Sequence, residues 1–260
     1  MKSKTVSSDM NSQILKKIFI ASSFTMAIFT SYGQEKALDL KMDFEDYDPP
    51  STLVVPEHPL TRAKFPFIDV HNHQWNMPTQ DLTELTKIMD KLNMAVMVNL
   101  SGRGRGSTEY LDNTLANVKK SQPKRFIVFT NMDFSAIDDA EWQSRMLKQL
   151  EDDVKKGANG LKIYKNLGLF NKDSKGNRIH IDDPRIDPIW AKCGELGIPV
   201  LIHAADPKQF WQPIDKDNER WLELKLHPGR RHDMDTVKWE TVIAEQHNIF
   251  KKHPKTKFIN

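Results

Sequence analysis

The sequence predicts an α/β chain, an incomplete TIM-type (β/α)8 barrel with about five and a half of its β/α units present. Three observations predict it. From Phe65 onward, short apolar runs of strand length alternate with longer stretches of helical texture, the pattern of a parallel sheet with crossover helices. No glycine-rich loop follows the first run, which disfavours the doubly wound, nucleotide-binding sheet and favours the closed one. The last run, "HPKTKFIN", ends the sequence without a loop or helix after it. A barrel typically takes about 250 residues, whereas 196 run from Phe65 to Asn260. The expectation is a barrel domain over residues 65–260, interrupted in its sixth strand; an open six-stranded sheet is the alternative.

Ahead of the barrel, Lys16 and Lys17 precede an apolar stretch from Ile18 to about Phe29, closed by Ser31, Tyr32 and Gly33. A positive start, an apolar centre and small residues at the cleavage position make residues 1–33 a secretory signal peptide. The apolar stretch falls short of the roughly 20 residues a spanning helix needs, although a retained anchor is the alternative. The expected destination is the periplasm or the exterior, with no membrane attachment once the leader is removed. Residues 34–64 carry Pro49, Pro50, Pro56 and Pro59 without a sustained period and read as an extended arm. The chain holds 38 basic and 35 acidic residues; the leader takes four lysines and one aspartate, leaving 34 against 34. A mature chain without net charge gives no ground for a nucleic-acid partner. The single cysteine, Cys193, excludes an internal disulfide framework and reads as a small buried hydrophobe near a helix end.

Strands are expected at Phe67–His71, Ala95–Asn99, Phe126–Thr130, Gly160–Tyr164, Val200–His203 and Lys257–Asn260, and helices at about 81–92, 107–120, 137–156, 184–196 and 237–252. Residues two apart on a strand share a face. Asp69, His71 and His73 therefore project together from the first strand, toward the barrel mouth where active sites form. His203 ends the fifth strand on the same face as Leu201. Three histidines at one mouth suit a metal with three protein ligands and an open position for water. On the fourth strand Leu161 and Ile163 face the helices, which turns Lys162 and Tyr164 inward. A lysine there is costly unless paired. An ion pair with a carboxylate such as Asp69, a contact to a substrate carboxylate, and a carbamylated lysine bridging two metals all remain open. After the second strand, Arg103 and Arg105 sit among glycines, either as forks for a substrate carboxylate or within a mobile surface loop. Asn131 and Asp133 follow the third strand, and Asp133 is also placed to cap the next helix. The insertion from Asp206 to Asp235 has the length of a lid or pocket wall. Its Trp211 is expected to touch substrate, whereas His227 and His232 are not expected to be ligands.

The ordered motifs FIDVHNH, GLKIY, PVLIHAADP and HPKTKFIN resemble the amidohydrolase superfamily, within it the metal-dependent hydrolases similar to aminocarboxymuconate-semialdehyde decarboxylase and lactonases. The resemblance covers about 65–260. It implies a TIM barrel with a divalent metal, commonly zinc, held by His71, His73 and His203, with Asp69 behind them. It also implies a further histidine and a strand-eight aspartate, the usual catalytic base, at positions beyond Asn260. The implied reaction is hydrolysis of a small lactone, ester or amide by a metal-activated water, favoured because an exported enzyme meets such compounds. Lys162, Tyr164, Arg103 and Trp211 are the expected substrate contacts. Non-oxidative decarboxylation of a carboxylic acid is the alternative, and a metal-free binding barrel a second one. The partner is a small molecule, with a homo-oligomer compatible with the fold.

Overall fold

A computed structural model describes residues 42–43, 46–104, 106–235 and 237–260. The expected signal peptide and the start of the arm lie outside the described residues. The chain divides into two units, Met1–Glu57 and His58–Asn260. In the first, the described residues are exposed and form no strand.

The second unit carries β1 (Phe67–Asn72), β2 (Met94–Asn99), β3 (Phe126–Asn131), β4 (Gly160–Ile163), β5 (Val200–Ile202) and β6 (Phe258–Ile259). Each strand pairs in parallel with the next, in the order β1-β2-β3-β4-β5-β6. A doubly wound sheet would reverse direction at a switch point; this order does not. The connecting helices are α1 (Leu82–Leu92), α2 (Thr108–Ser121), α3 (Trp142–Lys156) and α4 (Asp187–Glu195). A short α5 (Trp221–Leu226) lies in the insertion, and α6 (Trp239–Lys252) leads into β6.

The period-two pattern gives the sheet two apolar faces. On the outer one, Leu161, Ile163, Val200 and Ile202 pack against Trp142 and Leu150 of α3 and Ile189 and Trp190 of α4. Met97, Phe126 and Val128 do the same with Leu82 and Met89 of α1 and Leu111 and Val118 of α2. The inner face holds a separate cluster of Val98, Leu100, Phe129 and Leu201. Val98 on β2 and Leu201 on β5 would lie about 14 Å apart across a flat sheet. They share one cluster because the sheet curls. The Phe129 ring crosses Gly160, where a Cβ would come within 2.5 Å of it, so only glycine admits this packing at the start of β4.

Two helices begin later than expected. Residues 137–141 form a turn because the Asp139 carboxylate accepts the Glu141 N–H at 2.9 Å, which competes with helix hydrogen bonding. In α4, Pro188 occupies the first turn, where its missing N–H costs nothing. The end of the arm is tied to the end of α1: Ala63 N donates to Leu92 O at 3.1 Å, and Arg62 donates to Lys91 O at 3.1 Å and Asn93 Oδ1 at 3.0 Å. Cys193 is buried, and burial pushes its thiol up to about 12.

Candidate functional site

The ends of β1, β2, β4 and β5 build one constellation. At the end of β1, Asp69 Oδ1 accepts His71 N at 3.1 Å and Oδ2 accepts Asn72 Nδ2 at 2.8 Å. Its carboxylate is thus used on its own strand end, within an irregular stretch of the β1–β2 ladder. Asn99, at the end of β2, accepts from both Gln74 N and Ser101 N at 3.0 Å through Oδ1. That pins the segment carrying His73 to β2. The His73 ring lies between Trp75 and Tyr164, with centroids at 5.9 and 5.8 Å, and meets His71 edge-on at 5.4 Å. Its Nδ1 is 2.7 Å from Ser101 Oγ. A cleft of about 240 Å³ is lined by Val70 and His71 from β1, Leu201 to Ala204 from β5, and Ile259 and Asn260 from β6. In a flat sheet β1 and β5 would stand about 19 Å apart. The curl is what puts His71 and His203 on one cleft.

Lys162 controls the electrostatics. Its side chain is 1% exposed and, among the described residues, its Nζ has no hydrogen-bond partner. Burial pushes the ammonium down to about 8. The ion pair with Asp69 expected as one reading of the sequence is absent; the nearest aromatic face is Tyr164, 5.6 Å from Nζ. His71, His73 and His203 all lie below the usual imidazole range, mainly through burial and then through neighbouring positive groups, Lys162 among them. The three imidazoles are therefore neutral at pH 7 and keep a lone pair for a ligand.

This donor chemistry fits a divalent metal, which neutral imidazole binds well. Their spacing is wider than a closed ligand set: among the described residues, the group of three donors within 4.8 Å of one another is His180, Asp182 and Glu245. That second group is already neutralised. Arg178 grips both Glu245 oxygens, with Nη1 at 2.9 Å from Oε2, and Asn248 Nδ2 donates to Asp182 at 2.8 Å. His71 and His203 are exposed and both line the cleft.

Other expected contacts are placed differently. Arg103 is 3% exposed, and its Nη1 donates to both Asp153 oxygens at 2.8 and 2.9 Å. It is neither a mobile surface residue nor a fork turned to the mouth, because a buried guanidinium must be matched by a buried carboxylate. Arg105 lies outside the described residues. Trp211 donates its indole N–H to Val237 O at 2.9 Å and stacks on His232 at 4.3 Å, inside the insertion. Asp133 makes a cap-like turn, accepting Ser135 N at 2.9 Å. His232 bonds Asp206 and Asp235 at 2.9 and 2.6 Å. Tyr164 lies at the mouth as expected, in contact with His73. Sequence reasoning passed over Ser101 and Asn99. The available signal was two polar residues at period two on an otherwise apolar strand end.

The chain is 27% identical over 116 residues to a 2-amino-3-carboxymuconate-6-semialdehyde decarboxylase of Dictyostelium discoideum, a match covering 44% of this chain and 27% of that one. Among solved structures it is similar to a 2,6-dihydroxybenzoate decarboxylase from Rhizobium, at 16% identity and TM-score 0.46, covering 76% of this chain and 65% of the other. It is similar also to a dihydroxybenzoic acid decarboxylase from Polaromonas sp. JS666 with bound manganese and 2-nitroresorcinol, at 17% identity and TM-score 0.45, covering 69% and 53%. The chain thus spans less than two thirds of the length of each of these relatives. The family described as amidohydrolase matches residues 68–259, from β1 through β6, and the chain belongs to it.

Proposed function

We propose that the protein is a metal-dependent, non-oxidative decarboxylase of a small carboxylic acid. The observation that carries this reading is Lys162: a buried ammonium without a hydrogen-bond partner among the described residues, set among His71, His73 and His203. Such a group is half of an ion pair whose other half arrives with a ligand. The likeness to an amidohydrolase-family decarboxylase supports a carboxylate as that other half.

His71, His73 and His203 would hold a divalent metal, which would supply Lewis acidity toward a substrate oxygen. The chain's own residues do the rest. Lys162 holds the substrate's anionic group in the mouth, and Tyr164 and Trp75 give flat apolar walls beside His73. As the bond to the carboxyl carbon breaks and CO2 leaves, the electron pair passes into the substrate's conjugated or carbonyl system. Lys162 stabilises the charge that develops there. The carbon then takes a proton from the solvent-open side of the cleft. Hydrolysis of a lactone, ester or amide would use the same histidines, with Lys162 holding a carboxylate away from the reacting carbonyl.

The test is product analysis of the protein supplied with zinc or manganese, against panels of unsaturated carboxylic acids and of lactones. CO2 release, abolished together with metal uptake in His71→Ala and with KM raised at least about tenfold in Lys162→Met, is expected. Ring opening without CO2 would move the assignment to hydrolysis. Wild-type protein that takes up no divalent metal would overturn both.

A further inference from the structure

Behind His73 lies a short hydrogen-bond chain that determines which of its nitrogens is free. His73 Nδ1 is 2.7 Å from Ser101 Oγ, Ser101 Oγ is 3.1 Å from the Tyr164 hydroxyl, and that hydroxyl donates to Leu100 O at 3.2 Å. There are three contacts and three protons to fill them: one on the phenol, one on the serine and one on the ring. The Leu100 carbonyl can only accept. If Tyr164 donates to it, Tyr164 is left to accept from Ser101, and Ser101 to accept from His73. Run the other way, the chain would place two oxygens, Tyr164 Oη and Leu100 O, against each other at 3.2 Å with no proton between them. Only one direction puts a proton into each of the three contacts; in the other, Leu100 O keeps its bond from Asn131 Nδ2 at 2.9 Å but the Tyr164 contact is lost.

We infer that Ser101 and Tyr164 are positioning residues that hold His73 as its Nδ1–H tautomer and so leave Nε2 as the lone-pair nitrogen for a metal. The inference deepens the metal-centre reading and rests on it for its consequence, but the tautomer itself stands on the geometry alone. Several features hold the atoms of this chain in place. Ser101 is 0% exposed, so no solvent stands in for either partner. Asn99 Oδ1 accepts from Ser101 N and Gln74 N, both at 3.0 Å, which holds the two ends of the first contact in register. The His73 ring lies at 11° to Trp75 and 27° to Tyr164, a stacked setting that opposes a ring flip. Asn131 Nδ2 donates to the same Leu100 carbonyl at 2.9 Å, and its side chain is in turn fixed by Arg103 N at 3.1 Å. Burial raises the Tyr164 phenol above its ordinary range, which keeps its proton in place. A partner on the far nitrogen fixes a ligating imidazole's tautomer and orientation, and its loss typically costs about 10–100-fold in metal affinity.

The experiment is long-range proton–nitrogen NMR on nitrogen-15-labelled, metal-free protein at pH 8, where His73 is neutral, with its signals assigned by their loss in His73→Gln. Wild type is expected to show the Nδ1–H pattern at His73. Ser101→Ala should move it toward Nε2–H and weaken Zn2+ binding about tenfold. Ser101→Thr, which keeps the hydroxyl, should restore both. Tyr164→Phe removes the acceptor of the serine proton and should also shift His73 toward Nε2–H, which keeps a variant in hand if Ser101→Ala does not fold. An Nε2–H pattern in wild type, or an unchanged pattern in a folded Ser101→Ala, overturns the inference. A wild-type Nδ1–H pattern with no Zn2+ uptake fails the metal-centre reading instead and leaves the tautomer assignment intact.

Discussion

Lys162 is the residue where the site and the stability of the fold pull against each other. Among the described residues its ammonium is buried without a hydrogen-bond partner, and burial pushes it down to about 8. In the unfolded chain a lysine titrates near 10.4, so between about 8 and 10.4 the unfolded state binds the extra proton. Stability from this group therefore rises with pH across that window, and the full penalty is present below about 8. Lys162→Met should stabilise the metal-free protein at pH 7 by about 1–3 kcal/mol while weakening carboxylate binding. The gain should shrink as the pH of the thermal melts is raised past 8. A destabilised Lys162→Met at pH 7 would mean that the ammonium has a partner in the folded protein.

Among the elements, the loop between β2 and α2 is held by tertiary contact at Arg103. Its glycines suggest mobility, yet Arg103 is fastened to Asp153 of α3, and Thr130 of β3 donates to the same carboxylate at 2.5 Å. Removing one partner leaves a buried charge alone, so Asp153→Ala should cost about 3–5 kcal/mol. Replacing both, as Arg103→Met with Asp153→Leu, should recover most of that loss in denaturant midpoints; equal loss in the double variant would contradict the pairing argument. The insertion after β5 is fastened similarly. Lys165 donates to both Asp206 oxygens at 2.8 Å and His232 bonds the same carboxylate at 2.9 Å. These bonds outweigh burial and hold the Asp206 carboxyl below its ordinary range.

At the scale of the whole molecule, the curled parallel sheet is what makes a site out of strands distant in order. The strand order puts β1 at one end of the sheet, where Ile68 and Val70 are 55% and 54% exposed. Among the described residues no helix covers that face. An uncovered apolar strand at a sheet edge invites association with other chains. The 260-residue chain should therefore bind a hydrophobic dye and self-associate. Ile68→Thr with Val70→Thr should reduce both, with a stability change of no more than about 0.5 kcal/mol. Light scattering unchanged by the double substitution would place the sticky surface elsewhere. Because β1 also carries His71, bound divalent metal should lower dye binding as well.

The sequence by itself determined the alternation of strands and helices and the inward turn of Lys162. Each follows from the two-residue period of an extended backbone and from where apolar runs stop, which are local properties. It could not say that Asp69 bonds its own strand end, that Arg103 is buried on Asp153, or that Ser101 stands behind His73. For Ser101 and Arg103 those pairings join residues 28 and 50 positions apart, and the strand order and the packing of helices on the sheet decide which groups meet. The tertiary structure also decided which polar groups are left without a partner, because satisfaction of a buried charge depends on everything packed around it. Lys162 is the case in point: its position was legible in the alternation of β4, but its missing partner, on which the proposed chemistry turns, exists only in the folded chain.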